Sequence, residues 1–183
     1  MLVEVLIPDF QGDLAALKQV VESRPDVIAH NIETTLSLTP KIRDPRAHYW
    51  QSLSVLRNVK KLNRHVYTKS SIMVGLEESE EEVIQAMTHL RRAEVDFLTV
   101  GQYLRPSARH LKVVEYVRPE QFHRYRTIGE ELGFRCVASG PLVRSSYRAG
   151  EFYIRTAIES DAPRGQSYMA GITEIVDWQK LIL

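Results

Sequence analysis

Polar residues that can bind or react follow each apolar, strand-like run of this sequence. The first run ends at Pro8 and Asp9, and the last is followed by Arg144, Ser145 and Ser146. The other members of the set are His30, Asn31 and Glu33, then Glu77 and Glu78, then Gln102, Tyr103 and Arg105, and finally Ser139 and Gly140. Because ligands bind at the carboxyl ends of strands in βα proteins, this set predicts one polar binding site on an apolar framework.

Several common kinds of site are missing from the sequence. It has no Walker phosphate loop, no dinucleotide-binding glycine fingerprint after a strand and no HExxH pair. A single cysteine, Cys136, excludes an internal disulfide framework and any cysteine-rich metal site built by this chain alone. The histidines lack metal-ligand spacing and are interpreted as surface or capping residues; they are His30, His48, His65, His89, His110 and His123.

Alternating apolar patterns predict the elements that position these residues. Strands are expected at residues 3–7, 27–32, 71–76, 97–100 and 134–138. Helices are expected after Asp13, over residues 47–63, after a capping box formed by Ser79 and Glu82, and from Pro119 to about residue 132.

Strands that alternate with helices predict an α/β fold of parallel βα units joined by right-handed crossovers. Four or five parallel strands are too few to close a barrel, and the first strand begins almost at Met1. Parallel sheets do not leave a long apolar edge open. Either the sheet is an open, doubly wound one, or the fold begins upstream and this chain lacks its start.

Composition is that of an ordinary globular protein. The chain has 183 residues, of which 44% are hydrophobic and 26% charged, with a formal net charge of +1. The charge gives no argument for nucleic acid or an anionic membrane as a partner. The sequence contains neither a membrane-length apolar run nor a signal peptide, so a cytoplasmic location is expected, or an organelle matrix in a eukaryote.

Six segments of the sequence resemble the lipoyl synthases. SGPLVRSSYRAGE at residues 139–151 is similar to the C-terminal signature of that family, and an Arg-Ser-Ser-Tyr run after Ser-Gly-Pro is highly specific. The other segments follow in family order and are VEVLIPDFQGD (3–13), HNIET (30–34), IRDPRAHYWQSL (42–53), TKSSIMVGLEESEEE (68–82) and FLTVGQYLRPSARHL (97–111). The resemblance covers about residues 3–153.

The resemblance implies an incomplete, radical-SAM type (β/α)6 TIM-like barrel. Residues 1–153 would supply roughly the last four βα units and the signature segment, and residues 154–183 form a tail with no assigned counterpart.

The implied activity is the insertion of two sulfur atoms at C6 and C8 of a protein-bound octanoyl-lysine. The complete enzyme of this family uses two 4Fe-4S clusters and S-adenosylmethionine. Its partner is an octanoylated lipoyl carrier domain or the glycine cleavage H protein, and neither nucleic acid nor a membrane is expected as a partner.

The cysteines of both clusters belong to a part of the family that this chain does not match, and Cys136 belongs to neither set. Ser146 matches the serine that completes the ligand set of the auxiliary cluster. This chain alone is therefore expected to bind neither cluster and to form no lipoate. It is interpreted as a gene fragment, one half of a split enzyme that works with a separate N-terminal half, or a degenerate relative.

The resemblance also suggests roles for other residues. Asn31 and Glu33 would bind the amino group or ribose of S-adenosylmethionine and Arg43 its carboxylate, while the stretch that ends at Glu78 would lie against the adenine. The family usually has a glycine before that glutamate, where this chain has Glu77.

Three further residues are expected near the reaction. Gln102 and Tyr103 would face the octanoyl chain. Arg144 would favour the oxyanion of Ser146 or hold the C-terminal segment over the site.

Two alternatives remain open on the sequence. The chain can be a non-catalytic module, derived from the barrel, that binds a carrier domain or another partner. It can also be a βα enzyme that binds a phosphorylated substrate through Arg43, Arg105 and Arg144.

Overall fold

The computed structural model describes residues 2–145 and Ile158. Its strands are β1 (Glu4–Leu6), β2 (Val27–Ala29), β3 (Tyr67–Val74), β4 (Phe97–Gln102) and β5 (Cys136–Gly140). Its helices are α1 (Leu14–Glu22), α2 (Thr39–Ile42), α3 (Tyr49–Leu62), α4 (Glu80–Arg92) and α5 (Pro119–Glu131), and a 3-10 turn covers Phe10–Gly12. No helix in these ranges is long and apolar enough to cross a membrane.

The five strands form one parallel sheet in the order β1-β2-β3-β4-β5. The α/β class predicted from the sequence is therefore confirmed. A doubly wound sheet reverses its strand order at a switch point, whereas the strands of a TIM-type barrel follow each other in chain order. The observed order is consistent with part of a TIM-like barrel and not with the doubly wound alternative.

Helices α1, α3, α4 and α5 pack against one face of this sheet. Side chains alternate between the two faces along a strand. Ile28, Ile72, Val74, Leu98, Val100 and Val137 belong to the two clusters that also contain the buried helix residues. The opposite face holds a small cluster of Val27, Tyr67 and Phe97. Helices on a single face are expected for a barrel wall, in which the second face points inward.

Two of the predicted helix starts are confirmed by their capping contacts. An oxygen of Asp13 accepts hydrogen bonds from the backbone N–H groups of Ala15 and Ala16, at 2.8 and 3.3 Å. Ser79 and Glu82 form a reciprocal capping box at the start of α4. Both satisfy backbone donors that have no partner within the helix.

The predicted bounds of the third strand were wrong. The sequence predicted residues 71–76, whereas β3 covers Tyr67–Val74. The missed part contains Thr68, Lys69 and Ser70, which are polar but buried. The Lys69 ammonium lies 2.7 Å from a carboxylate oxygen of Glu4 on β1. This part of the strand is buried although it is polar, because a side chain such as Lys69 has a charged partner in the interior. It therefore lacks the apolar pattern from which strands are usually identified.

A buried ion pair lies at the amino-terminal ends of β3 and β4. The Lys60 ammonium is 2.5 Å from the Asp96 carboxylate and 2.8 Å from the Val66 carbonyl. The same carboxylate accepts the Thr68 N–H, at 2.8 Å. Burial lowers the pKa of Lys60, while Asp96 opposes that change. The pair thus joins α3 to the starts of two central strands.

Removing only the cation of this pair should destabilise the fold. In Lys60→Met the mostly buried Asp96 carboxylate keeps, among the described cations, only its longer contact with Arg135, at 3.5 Å, so the free energy of unfolding should fall by about 3 kcal/mol. The double variant Lys60→Met/Asp96→Asn should recover most of that loss. Urea denaturation measures both, with Lys18→Met on the exposed Lys18–Glu22 pair as the control. Equal losses in the single and double variants would contradict this account.

Candidate functional site

A cleft lies at the carboxyl ends of the central strands. It has a volume of about 180 Å³ and is lined by Asn31, Glu33, Ser71, Ile72, Met73, Gly101, Gln102, Leu104, Val143, Arg144 and Ser145. Five residues singled out in the sequence thus meet in one place: Asn31, Glu33, Gln102, Arg144 and Ser145. Met73, Leu104 and Val143 add apolar surface, so the cleft can hold a ligand that is partly polar and partly aliphatic.

Glu33 is held against β3 by its own backbone. Its N–H donates to the Ser71 carbonyl at 3.1 Å, and its carbonyl accepts the Met73 N–H at 2.8 Å. Its φ of 66° is in the left-handed region, which is unusual for a residue other than glycine. Strained backbone of this kind tends to cluster at functional sites. Burial raises the pKa of Glu33, against a hydrogen bond from Asn31 and the charge of Arg43.

Arg43 lies close enough to this carboxylate for their charges to interact. Burial lowers the pKa of the guanidinium, and the negative charges of Glu33 and Asp9 oppose that shift. One of its nitrogens donates to the Ser52 hydroxyl on α3, at 2.7 Å. The structure therefore brings Asn31, Glu33 and Arg43 into one electrostatic group, although Arg43 is not part of the cleft wall.

His30 is buried, so its interpretation as a surface or capping residue was wrong. Only 4% of the residue is exposed, and Nδ1 lies 2.9 Å from the Ile7 carbonyl oxygen. A carbonyl can only accept, so Nδ1 carries the proton and Nε2 is left as an acceptor. Nε2 is buried without a hydrogen-bond partner among the described residues. Burial lowers the pKa of His30, which favours the neutral ring over the charged one.

The segment after β5 lies directly over the end of β4. A Cβ atom placed on Gly101 would lie 2.3 Å from the Val143 carbonyl oxygen, so the glycine permits this close approach. Arg144 donates to the carbonyl oxygens of Val143 and Gln102, at 2.8 and 3.3 Å. Arg144 and Ser145 therefore form one wall of the cleft. Ser146, the predicted cluster ligand, lies outside the described residues.

Gln102 and Tyr103 use their side chains to hold the connection between β4 and α5. The Gln102 amide donates to the Glu115 carbonyl at 2.9 Å and accepts the Val117 N–H at 2.9 Å. The Tyr103 hydroxyl donates to the Leu111 carbonyl at 3.0 Å. The sequence identified both as substrate residues without detecting these contacts, and their contact with a substrate stays a prediction.

Glu78 closes the turn after β3. Its carboxylate oxygens accept the backbone N–H groups of Gly75 and Leu76. Glu77, at the position where the resemblance predicts a glycine, has a φ of 97° and an exposed side chain. The backbone of Glu77 thus has a conformation that glycine adopts freely and that is unusual for other residues.

No thiolate or metal-ligating cluster accompanies the cleft in the described part of the chain. Residues 2–145 contain no group of three or more histidine, cysteine, aspartate or glutamate side chains that could hold a metal ion. Cys136 begins β5, at the end of the strand opposite the cleft, and packs beside Val27, Tyr67 and Phe97. Burial raises the pKa of this thiol. These residues do not fit an iron-sulfur cluster.

Comparison with known proteins identifies the family. A lipoyl synthase from Anaeromyxobacter dehalogenans is 60% identical over 160 residues, which cover 87% of this chain and 54% of that protein. Mitochondrial lipoyl synthases from Branchiostoma floridae and Homo sapiens are 60% and 54% identical, over 86% of this chain and 42% of each relative. This chain is a homologue of the lipoyl synthases. It spans about half the length of the curated relatives it matches, and no family model matches it.

Replacing the strained glutamate should stabilise this lipoyl synthase homologue. Glu77→Gly removes the cost of a positive φ, about 1–2 kcal/mol. The greater conformational freedom of glycine stabilises the unfolded chain by less than about 1 kcal/mol, which offsets part of that gain. We therefore expect the free energy of unfolding to rise by roughly 0.5–1 kcal/mol. Urea denaturation measures the gain, and Glu81→Gly, inside α4, serves as a control that should lose stability. A loss in Glu77→Gly would contradict the inferred strain.

Removing the Glu33 charge should stabilise the fold in a pH-dependent way. The folded state binds the Glu33 proton more tightly than the unfolded chain does, so stability should fall as pH rises above the ordinary glutamate pKa of about 4.3. In Glu33→Gln the side chain cannot ionise, so this fall in stability at higher pH should be absent. The advantage of this variant over the unsubstituted chain should be small near about pH 4 and larger near about pH 8, as measured by urea denaturation at both values. The control is Glu22→Gln, at an exposed position of α1. A stability difference for Glu33→Gln that does not change with pH would contradict the raised pKa of Glu33.

Proposed function

We propose that this chain is the C-terminal portion of a lipoyl synthase. In that role it would take part in inserting sulfur at C6 and C8 of a carrier-bound octanoyl-lysine. The observation that carries the proposal is identity of 53–60% with lipoyl synthases along most of the chain. The cleft supports it, because its polar and aliphatic walls suit a polar cofactor beside an acyl chain.

In this proposal S-adenosylmethionine would bind at the polar side of the cleft. Glu33 and Asn31 offer hydrogen-bond acceptors to hydroxyl or ammonium groups, and Arg43, which lies near Glu33 outside the cleft wall, would add a positive charge for a carboxylate. Glu78 would act through the backbone, since it fixes the turn after β3. When bound, this cofactor supplies the one-electron chemistry that activates unreactive C–H bonds. The side chains of this chain bind and orient it.

The iron-sulfur clusters need a second source of ligands. The described residues supply no suitable thiolate group, so cysteines from another stretch of polypeptide would have to complete both sites. In this proposal Ser146 completes the auxiliary set. Arg144 would position the segment that carries it, because its guanidinium fixes the neighbouring backbone to β4. Without those cysteines the chain is expected to be inactive.

The octanoyl chain would lie along the aliphatic part of the cleft. Met73, Leu104 and Val143 line it beside the polar wall. Gln102 and Tyr103 would act at this end by holding the connection that contains Leu104. The partner is then a protein that presents the acylated lysine, a lipoyl carrier domain or the H protein.

Complementation tests this function. The chain is co-expressed with the cysteine-bearing N-terminal half of the Anaeromyxobacter dehalogenans relative in cells without lipoyl synthase, and carrier lipoylation is measured by mass spectrometry. Lipoylation is expected from the pair and not from either half alone. Ser146→Ala should lower it at least about tenfold, equivalent to about 1.4 kcal/mol, while Ser23→Ala, at the exposed end of α1, should not.

Two results would overturn the proposal. Undiminished lipoylation in Ser146→Ala would remove the serine from the ligand set. Absence of lipoylation from a pair that associates, together with tight carrier binding, would favour the non-catalytic module.

A further inference from the structure

The connection between β4 and α5, residues 103–118, exposes an unusual amount of apolar surface. Half of the exposed large hydrophobic residues of the described chain lie in it: Leu104, Leu111, Val114 and Tyr116. Tyr116 is 72% exposed and Val114 59%. Large apolar side chains grouped in one surface segment indicate an interaction site more often than single exposed ones do.

This connection is fixed in place along its second half. The N–H groups of Val114 and Glu115 donate to the Gly75 carbonyl, and both atoms of the Gln102 amide bond to residues 115 and 117. Gly75 permits the contact, since a Cβ there would lie 2.4 Å from the Glu115 carbonyl oxygen. The exposed side chains therefore project from a rigid backbone, which reduces the entropy lost on binding.

Three consecutive residues of this fixed stretch are exposed. Val113 and Val117 are partly buried and pack against the hydrophobic clusters of the chain. Val114, Glu115 and Tyr116, which lie between them, are exposed. The two partly buried valines therefore hold both ends of a short exposed segment that carries Val114 and Tyr116. Tyrosines fixed in this way are common anchors of protein interfaces.

The charges of the connection are mostly positive. The connection contains one carboxylate, Glu115, and four cationic side chains, Arg105, Arg109, Lys112 and Arg118. The net charge of the whole chain is only +1. None of these four cations forms an ion pair with another described residue. Arg105 donates to the carbonyl oxygens of His110 and Ala108, which carry no charge. The surface is thus apolar and cationic together.

We propose that residues 104–118 form the docking surface for an acidic protein domain, with Tyr116 and Val114 as apolar anchors and Arg109 and Lys112 as the charges that orient the partner. Leu104 begins this surface and also lines the cleft. A domain bound here would hold an acylated side chain at the entrance of the cleft. The identity of that domain as the octanoylated carrier rests on the proposed function.

The test measures binding of a fluorescently labelled, octanoylated lipoyl domain with a net negative charge, by fluorescence anisotropy. Arg109→Glu/Lys112→Glu should raise Kd at least about tenfold, and Tyr116→Ser should do the same. The affinity of the unsubstituted chain should fall as salt screens the charges. All replaced side chains are exposed, so thermal unfolding midpoints should not change.

A charge-matched variant provides the control. Lys18→Glu/Arg64→Glu changes the net charge equally at exposed positions outside the connection, and its Kd should stay within about twofold of the unsubstituted chain. If this control weakens carrier binding as much as Arg109→Glu/Lys112→Glu does, net charge alone explains the change in Kd, and the docking surface is overturned. Equally strong competition by polyuridylate would do so too, because the site would then bind any polyanion.

The outcomes separate this proposal from the function. The docking surface is overturned if carrier binding is unchanged in Arg109→Glu/Lys112→Glu and in Tyr116→Ser. It is also overturned if the unsubstituted chain does not bind the carrier at all. Both conclusions hold even if complementation produces lipoate. Binding that depends on these residues supports the surface even if complementation fails, and the lipoyl synthase assignment alone then falls.

Discussion

The parallel, sequential order of the sheet is the constraint on which the site depends. In such a sheet all carboxyl ends of the strands meet at one edge, so residues far apart in the chain become neighbours without further folding. Glu33 after β2 and Arg144 after β5 line the same cleft for this reason. The four longer helices cover only one face, which leaves the inward face available for polar groups such as the Lys69–Glu4 pair. The cleft is the open end of that inward face.

Local features of the chain could be predicted well from its sequence. The helix starts at Asp13, Ser79 and Pro119 agree with the structure because capping depends on residues within a single turn. The start of β3 could not be predicted, since its polar residues are satisfied by Glu4 and Asp96, which are distant in sequence. Long-range partners of this kind leave no periodic pattern.

The candidate site was predictable in position but not in detail. The rule that ligands bind at strand ends correctly placed Asn31, Glu33 and Arg144 together. It could not show that the Gln102 amide is saturated by the following connection, or that His30 is buried with a free acceptor. Both depend on which atoms face each other. The resemblance supplied the family, and the structure supplied the reason why Cys136 cannot take part in the cleft.

The Lys60–Asp96 pair lies at the amino-terminal end of the strands, a full strand length from the cleft. The contacts that join α3 to β3 and β4 are therefore made at the end of the sheet opposite the cleft, and the two groups share no residue. Substitutions at the cleft and substitutions at this pair should act on separate properties of the chain, the chemical character of the cleft in the first case and the register of the strands in the second.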